Sequence, residues 1–316
     1  MIFEKLKIII FLSICLVSTN VNSEIKTRII AKVGDEIITN FDVENKIKTN
    51  LYLSGEEINQ NNVDKIKSSI LKSLVNLKLK RNETKKHDLK INEQAVTQYL
   101  NSITANLQIS EIELINQFKF YNIDYKQFVE DIETEFLWQR LVAKIYLDRI
   151  KVNEEQINSE LNKILESEKE NEVNFEFNLS EIEVIFENSN EQEKLISKIN
   201  DEIIKNGFKK TAIKFGTSST AITGGGLGWI KSSQLSRETF NIVKNLKAGE
   251  VSKPLKRGNT LTFLRMNEKK VSKSNEISDV QNLRKNLENS KKNELLSLYS
   301  NSHLSKIKNI TLIEFL

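Results

Sequence analysis

The chain has 316 residues, with 47 Lys and Arg against 43 Asp and Glu, so its formal net charge is only +4. That dispersed balance argues against a nucleic-acid partner or an anionic membrane surface. A composition of 39% hydrophobic and 28% charged residues excludes wholesale disorder and fits one to three packed domains.

In chain order, Lys5 and Lys7 precede the apolar run Ile8–Val17, and Val21-Asn22-Ser23 places a small residue before Glu24. This is the pattern of a cleavable signal peptide over 1–23; the apolar run is short of the ~20 residues a spanning helix needs. The expected destination is the periplasm, with no stable membrane insertion after cleavage. Cys15 is the only cysteine, and its neighbours Ile14 and Leu16 do not suit lipid attachment. The mature chain from Glu24 therefore has no thiol and must be held by core burial alone.

Ile29–Val33, the turn Gly34-Asp35 and Glu36–Thr39 read as a β-hairpin. Asn40 or Asp42 is positioned to cap the first helix, and Val63, Ile66, Ile70, Leu74 and Leu77 form one apolar helical face. Further helices are expected from Asn92, over Ser110–Gln117 with Ser110 and Glu113 as a capping box, along Phe128–Ile145, and over Val152–Leu165 with Asn153 as cap. After the acidic stretch Glu166–Glu172 the period changes to strand alternation, Phe175–Phe186, in one strand or a bulged one. Then come a helix over Glu191–Lys205, a short one from Phe208 through Ala212, a glycine cluster, and a helix from Ser236 that Gly249 would end. Strands are expected at Val251–Leu255 and Thr260–Met266, a helix over Ile277–Leu304, and a closing strand over Ile310–Ile313.

The cluster Gly224-Gly225-Gly226-Leu227-Gly228-Trp229 lacks the GK[ST] or GxGxxG frame and the following helix that a phosphate loop requires, so no nucleotide or other cofactor is expected. It reads as a loop feeding a strand, with Trp229 as a core anchor.

Phe177-Asn178-Leu179-Ser180, the glycine cluster, Phe240 and Leu246-x-x-Gly249-x-x-Ser252-x-Pro254, in this order, resemble the parvulin (PpiC, rotamase) family of peptidyl-prolyl isomerases. With the signal sequence, the Thr39-Asn40-Phe41-Asp42-Val43 entry to a helical segment and the final helix and strand, the whole chain resembles the SurA family of periplasmic chaperones. The resemblance implies an α+β multi-domain fold: 24–170 as a helical chaperone domain, 175–270 as an inserted α/β parvulin domain, and 276–316 as a helix and strand completing the core module. The two chain ends are expected to meet in one sheet.

Active parvulins carry two histidines on neighbouring strands and a cysteine or aspartate between them. Here those positions fall on Glu181, near Thr262 and near Ser218. The resemblance therefore implies no catalytic residues and a weak or absent isomerase, the alternative being an active isomerase that works through its pocket alone. Glu181, Ser218 and Thr262 read as ordinary polar replacements, since Ser and Thr without a base are poor nucleophiles. Leu227 and Phe240 match the substrate-binding positions; each is open to reading as pocket or as core. His87 and His303 lie in helical segments, outside the motif, and His87, in a polar run with no second ligand in sight, is not read as a metal site. The implied function is a chaperone for unfolded exported polypeptides, chiefly outer-membrane proteins, with no nucleic acid, nucleotide, metal or other cofactor.

Overall fold

The computed structural model describes residues 27–170, 175–186, 189–218, 220–271 and 280–316. The signal sequence expected over 1–23 lies outside those residues, as does the end of the acidic stretch, 171–172. None of the described helices is long and apolar enough to cross a membrane.

The hairpin forms as its alternation dictates, β1 (Ile29–Val33) against β2 (Glu36–Thr39), with Gly34 at φ +57° in the turn. Thr39 caps α1 (Asn40–Leu53), in place of the expected Asn40 or Asp42. Its hydroxyl accepts from the Asp42 amide, and the Asp42 carboxylate accepts in return from the Thr39 amide at 2.7 Å. Four more helices complete this segment: α2 (Gln60–Lys85), α3 (Glu93–Leu107), α4 (Glu111–Phe120) and α5 (Tyr125–Tyr146). Asn59, Asn92, Ser110 and Asp124 cap them in turn through side-chain oxygens. A sixth helix, α6 (Glu154–Glu170), has Asn153 accepting from the Gln156 amide at 3.1 Å.

The α/β segment runs β3 (Phe175–Ile185), α7 (Ser189–Asn206), α8 (Phe208–Phe215), β4 (Gly226–Lys231), α9 (Arg237–Val243), β5 (Leu255–Arg257) and β6 (Thr260–Val271). Its antiparallel sheet has the order β4-β3-β6-β5. The alternation of β3 is unbroken; the register shifts fall on its neighbours, which skip Leu227 in β4 and Asn267 in β6. A long helix α10 (Val280–Ile310) and a short strand β7 (Ile313–Phe315) close the chain. As expected, the chain ends share a sheet, β2-β1-β7, with Val33 opposite Ile313.

Four expectations need correction. Helix α9 stops at Val243, and Gly249 lies further on in a turn at φ +86°, its amide donating to the Met266 carbonyl at 2.7 Å. The strand expected over 251–255 contracts to a bridge at Val251 and β5 from Leu255; Pro254, with no N–H to donate, precedes β5 at the sheet edge. The last helix continues past Leu304 to Ile310, which leaves only Ile313 of the expected closing strand in β7. Trp229 is no core anchor: it is 41% exposed on the edge strand β4, opposite the polar Asn178, with the Lys270 ammonium 4.0 Å from its ring centroid.

One apolar core crosses from the helices into the sheet. Leu51, Ile70 and Leu74 of α1 and α2, Trp138 of α5 and Leu304 of α10 pack in the same cluster as Ile182 and Val184 of β3, Phe208 and Phe215 of α8 and Phe263 of β6. Each fully buried Leu, Ile or Phe of this kind contributes roughly 1.5–3 kcal/mol. A second core, around Phe118 and Phe128 of the helical segment, receives Ile213 from α8. Helix α8 is thus wedged between the two segments. Its Lys214 side chain has no solvent exposure and its ammonium lies 3.0 Å from Glu56 and 3.2 Å from Glu202.

Candidate functional site

The candidate site lies on the face of the β3–β6 sheet opposite α8. Strand parity sets it: Phe177, Leu179, Glu181 and Glu183 alternate onto one face of β3, while Ile182 and Val184 turn to the shared core. Across the strands Leu179 faces Met266, Glu181 faces Leu264 and Glu183 faces Thr262. Its apolar half is a cluster of Phe177, Leu179, Leu235, Val243, Leu264 and Met266, against which Leu227 and Phe240 are half-buried. Phe240 meets Phe177 edge-on at 6.2 Å between centroids. Both side chains therefore contribute to the cluster and keep part of their surface in solvent.

The glycines bring the loop down onto this strand. The Glu181 amide donates to the Gly225 carbonyl at 2.7 Å, and a Cβ on Gly225, which sits at φ +79°, would come within 2.0 Å of the Glu181 carbonyl oxygen. Only glycine fits there. On the other flank of the sheet, Ser252 is laced to β6 twice, its amide donating to the Leu264 carbonyl and its hydroxyl accepting from the Leu264 amide at 3.0 Å. This gives the Gly249-x-x-Ser252 spacing its physical meaning.

Glu181 and Ser218 come together through Thr220, a residue sequence reasoning missed. The Thr220 hydroxyl donates to Glu181 Oε1 at 2.9 Å and lies 2.8 Å from Ser218 Oγ. Thr262 is one register step away, opposite Glu183. Glu183 is the second missed residue, although its position two after Glu181 on an alternating strand was a readable signal that the two share a face. Burial raises the Glu181 carboxyl above the usual carboxylate range, against the bonds from Thr220 and Ser218 and the charge of Arg257. Burial, then the neighbouring Glu181 charge, push Glu183 up to about 7, again opposed by Arg257. Arg257 is itself placed by Thr239, 3.4 Å away, and Glu238, 3.8 Å away. The face thus offers an apolar half-pocket beside two carboxyls, both held above the usual carboxylate range.

Glu183, Ser218 and Thr220 also form part of the wall of an open cleft of about 2420 Å³ between the helical and α/β segments. Its other walls come from α1, α2, α3, α5, α7, α8 and α10. Hydroxyl and amide side chains recur on them, Ser73, Asn76, Ser297 and Asn301 among them, interspersed with Phe136 and Leu296 and with charged residues such as Lys72, Lys80, Lys194 and Lys198.

Residues 4–142 match the SurA-like N-terminal domain, and residues 177–268 match the PPIC-type PPIase domain. The curated relatives include the chaperone SurA of Idiomarina loihiensis, 21% identical over 88% of this chain and 66% of its own length, and that of Methylobacillus flagellatus, 24% identical over 81% and 60%. The chain thus spans somewhat under two thirds of the length of these relatives. Solved structures that align with it include a PpiC-type isomerase domain, 25% identical over 31% of this chain and 94% of the other at a TM-score of 0.28. Another comes from a work on two SurA-like chaperones of Campylobacter jejuni, 16% identical over 91% and 98% at a TM-score of 0.34. With a SurA-like N-terminal domain followed by a single PPIC-type domain, and with relatives that align across both, the chain is similar to the SurA-like chaperones in its domain order.

Proposed function

We propose that this protein is an exported, periplasmic chaperone that holds unfolded polypeptides, chiefly outer-membrane proteins, and that its parvulin domain binds peptide without catalysing prolyl isomerisation. The observation that carries the reading is the cleft. At about 2420 Å³ it exceeds the roughly 300–1,000 Å³ of a small-molecule site and is large enough for a length of extended chain. An unfolded segment presents backbone N–H and C=O groups that need partners whatever its sequence. Serine hydroxyls and asparagine amides supply both donors and acceptors, and the interspersed apolar side chains take up alternate client residues. An unfolded outer-membrane strand, with its polar and apolar residues alternating, suits such walls. Ile112 and Phe120 of α4, 74% and 76% exposed, add apolar surface outside the cleft.

Absence of isomerase chemistry is inferred from the residues at the family's catalytic positions. Rotation about the prolyl bond must overcome a barrier of about 18–20 kcal/mol. Glu181, Ser218 and Thr262 supply no imidazole there, and Thr262 stands apart from the other two. A second reading, an active isomerase, is favoured by Glu183: a carboxyl that keeps its proton near neutrality can donate a hydrogen bond to a twisting amide beside Leu227 and Phe240.

The test of the main reading is aggregation of a urea-denatured outer-membrane barrel protein on dilution, without nucleotide, followed by light scattering. Suppression that saturates near equimolar chaperone is expected. Scattering unchanged at several-fold excess contradicts the proposal.

A further inference from the structure

The chain's two histidines, 216 positions apart by number, converge on one carboxylate oxygen. Glu83 lies in the last turn of α2. His87 Nε2 is 3.8 Å from Glu83 Oε1, and His303 Nε2, reaching over from α10, is 3.7 Å from the same atom. The other ring nitrogen, His303 Nδ1, lies 2.7 Å from the hydroxyl of Tyr146 at the end of α5. In the neutral tautomer that carries its proton on Nε2, the nitrogen facing Glu83, the tyrosine O–H donates to Nδ1. Nε2 is buried and has no hydrogen-bond partner among the described residues; the Glu83 oxygen is beyond bonding distance.

Aromatic contacts enclose this ring and tie the same helices. His303 lies edge-on to Tyr146 at 5.6 Å and tilted against Trp138 at 5.4 Å. Tyr146 stacks on Tyr299 of α10 at 4.8 Å, and Trp138 Nε1 donates to Ser300 at 2.8 Å. Leu304 and Ile307, the next turn of α10, enter the main core. The seat of α10 on α2 and α5 is thus built around one imidazole. The charged groups that face the joint are Glu83 with its Lys86 partner at 2.8 Å and His87 from α2, and Lys306 from α10; Lys80 lies 6.0 Å from the Trp138 centroid and Arg149 5.9 Å from that of Tyr146.

We propose that His303 is a proton-sensitive joint, at which uptake of a proton by the ring loosens α10 from α2 and α5 and with it the cleft wall that α10 supplies. A cation formed there loses water, sits near Lys306 and His87, and among the described residues has only Glu83, 3.7 Å away, to compensate. Burial, reinforced by Lys306 and His87 and opposed by Glu83, holds the imidazole below its usual range. The sign follows. Released to solvent, the ring takes its proton near pH 6.5, whereas the seated ring takes it lower, so the unseated form gains protons first as pH falls. Seating is complete above about pH 6.5 and weakens below it. The proposal concerns how α10 is held and does not depend on client binding.

The experiment is a histidine-selective NMR titration of the purified full chain, with His87→Gln assigning the two rings and the Trp138 indole signal as the local reporter. Urea midpoints are measured in parallel at about pH 7.5 and about pH 5.5, either side of the ordinary histidine value. The expected result is a His303 midpoint below that of a free histidine, with the indole signal moving in step. Stability then falls from the higher to the lower pH by more in the wild type than in His303→Gln, whose amide oxygen can still accept from Tyr146. A His303 midpoint at or above the free value, or an indole signal that does not move through the titration, overturns the proposal. Should His303→Gln fail to fold, the wild-type titration decides on those same two criteria.

Discussion

Replacing Lys214 by methionine removes a cation from between two carboxylates that stay behind. The Lys214 side chain is fully buried on α8, and its partners Glu56 and Glu202 are only 8% and 15% exposed. Breaking a buried ion pair from one side costs roughly 3–5 kcal/mol, because the surviving charge is left uncompensated. Glu202 keeps a hydrogen bond from Asn206 at 2.6 Å and both carboxylates retain a little water, so the lower end applies, about 3 kcal/mol or roughly 150-fold in the equilibrium. Glu56 belongs to the helical segment, whereas Glu202 and Lys214 belong to the α/β segment, so the loss falls on their junction. The two tryptophans divide the same way, which makes Trp138→Phe and Trp229→Phe single-reporter backgrounds for urea unfolding followed by fluorescence. Lys214→Met is expected to move the Trp229-reported transition to lower urea by about 3 kcal/mol, and Glu56→Gln with Glu202→Gln to restore at least part of that loss. A change below about 1 kcal/mol, the scale of an exposed pair, would refute the reasoning.

Gly225→Ala is expected to destabilise by at least about 1–3 kcal/mol from backbone strain alone, with the clash against the Glu181 carbonyl adding to it. An unchanged urea midpoint contradicts that close approach. Glu183 has a folded-state pKa raised from 4.5 to about 7, so the folded state keeps a proton that the unfolded chain loses between these values. Its contribution is most favourable below about pH 4.5 and declines as pH rises through about 7, so Glu183→Gln should flatten that decline and gain relative stability on the alkaline side. A midpoint-against-pH profile parallel to the wild type contradicts the assignment.

What was legible in the sequence was local. The Gly34-Asp35 turn between two alternating runs made the first hairpin readable, and the alternation from Phe175 marked the central strand, straight or bulged; the packing then sets Phe177 and Leu179 on one face and Ile182 and Val184 on the other. Motif order singled out Leu227 and Phe240 as pocket or core, and both pack, half-buried, against one apolar cluster. What escaped depends on contacts between distant segments. Lys214 follows Lys209 and Lys210 in an amphipathic helix and looks like any solvated lysine; its burial comes from Glu56, 158 residues away. His87 lies one helical turn from Glu83, a spacing open to reading, whereas His303 read as isolated because only the packing of α10 on α2 brings it to the same carboxylate. Trp229 was misread because aromatic character suggests burial, whereas the strand order leaves β4 at the edge. Gly249 looked like a helix stop, but its positive φ serves the turn that laces onto Met266.

The most direct test of a client-holding protein with a non-catalytic parvulin domain is exchange NMR on an aromatic-proline peptide, with the wild type, Phe240→Ala and Glu183→Gln compared. Phe240 forms the half-buried edge of the apolar cluster, so the expected result is peptide line broadening that Phe240→Ala reduces while the protein stays folded, with the cis/trans rate at its uncatalysed value throughout. A wild-type rate above the uncatalysed value that falls back in Phe240→Ala or Glu183→Gln would contradict it and make the protein an isomerase working without histidines.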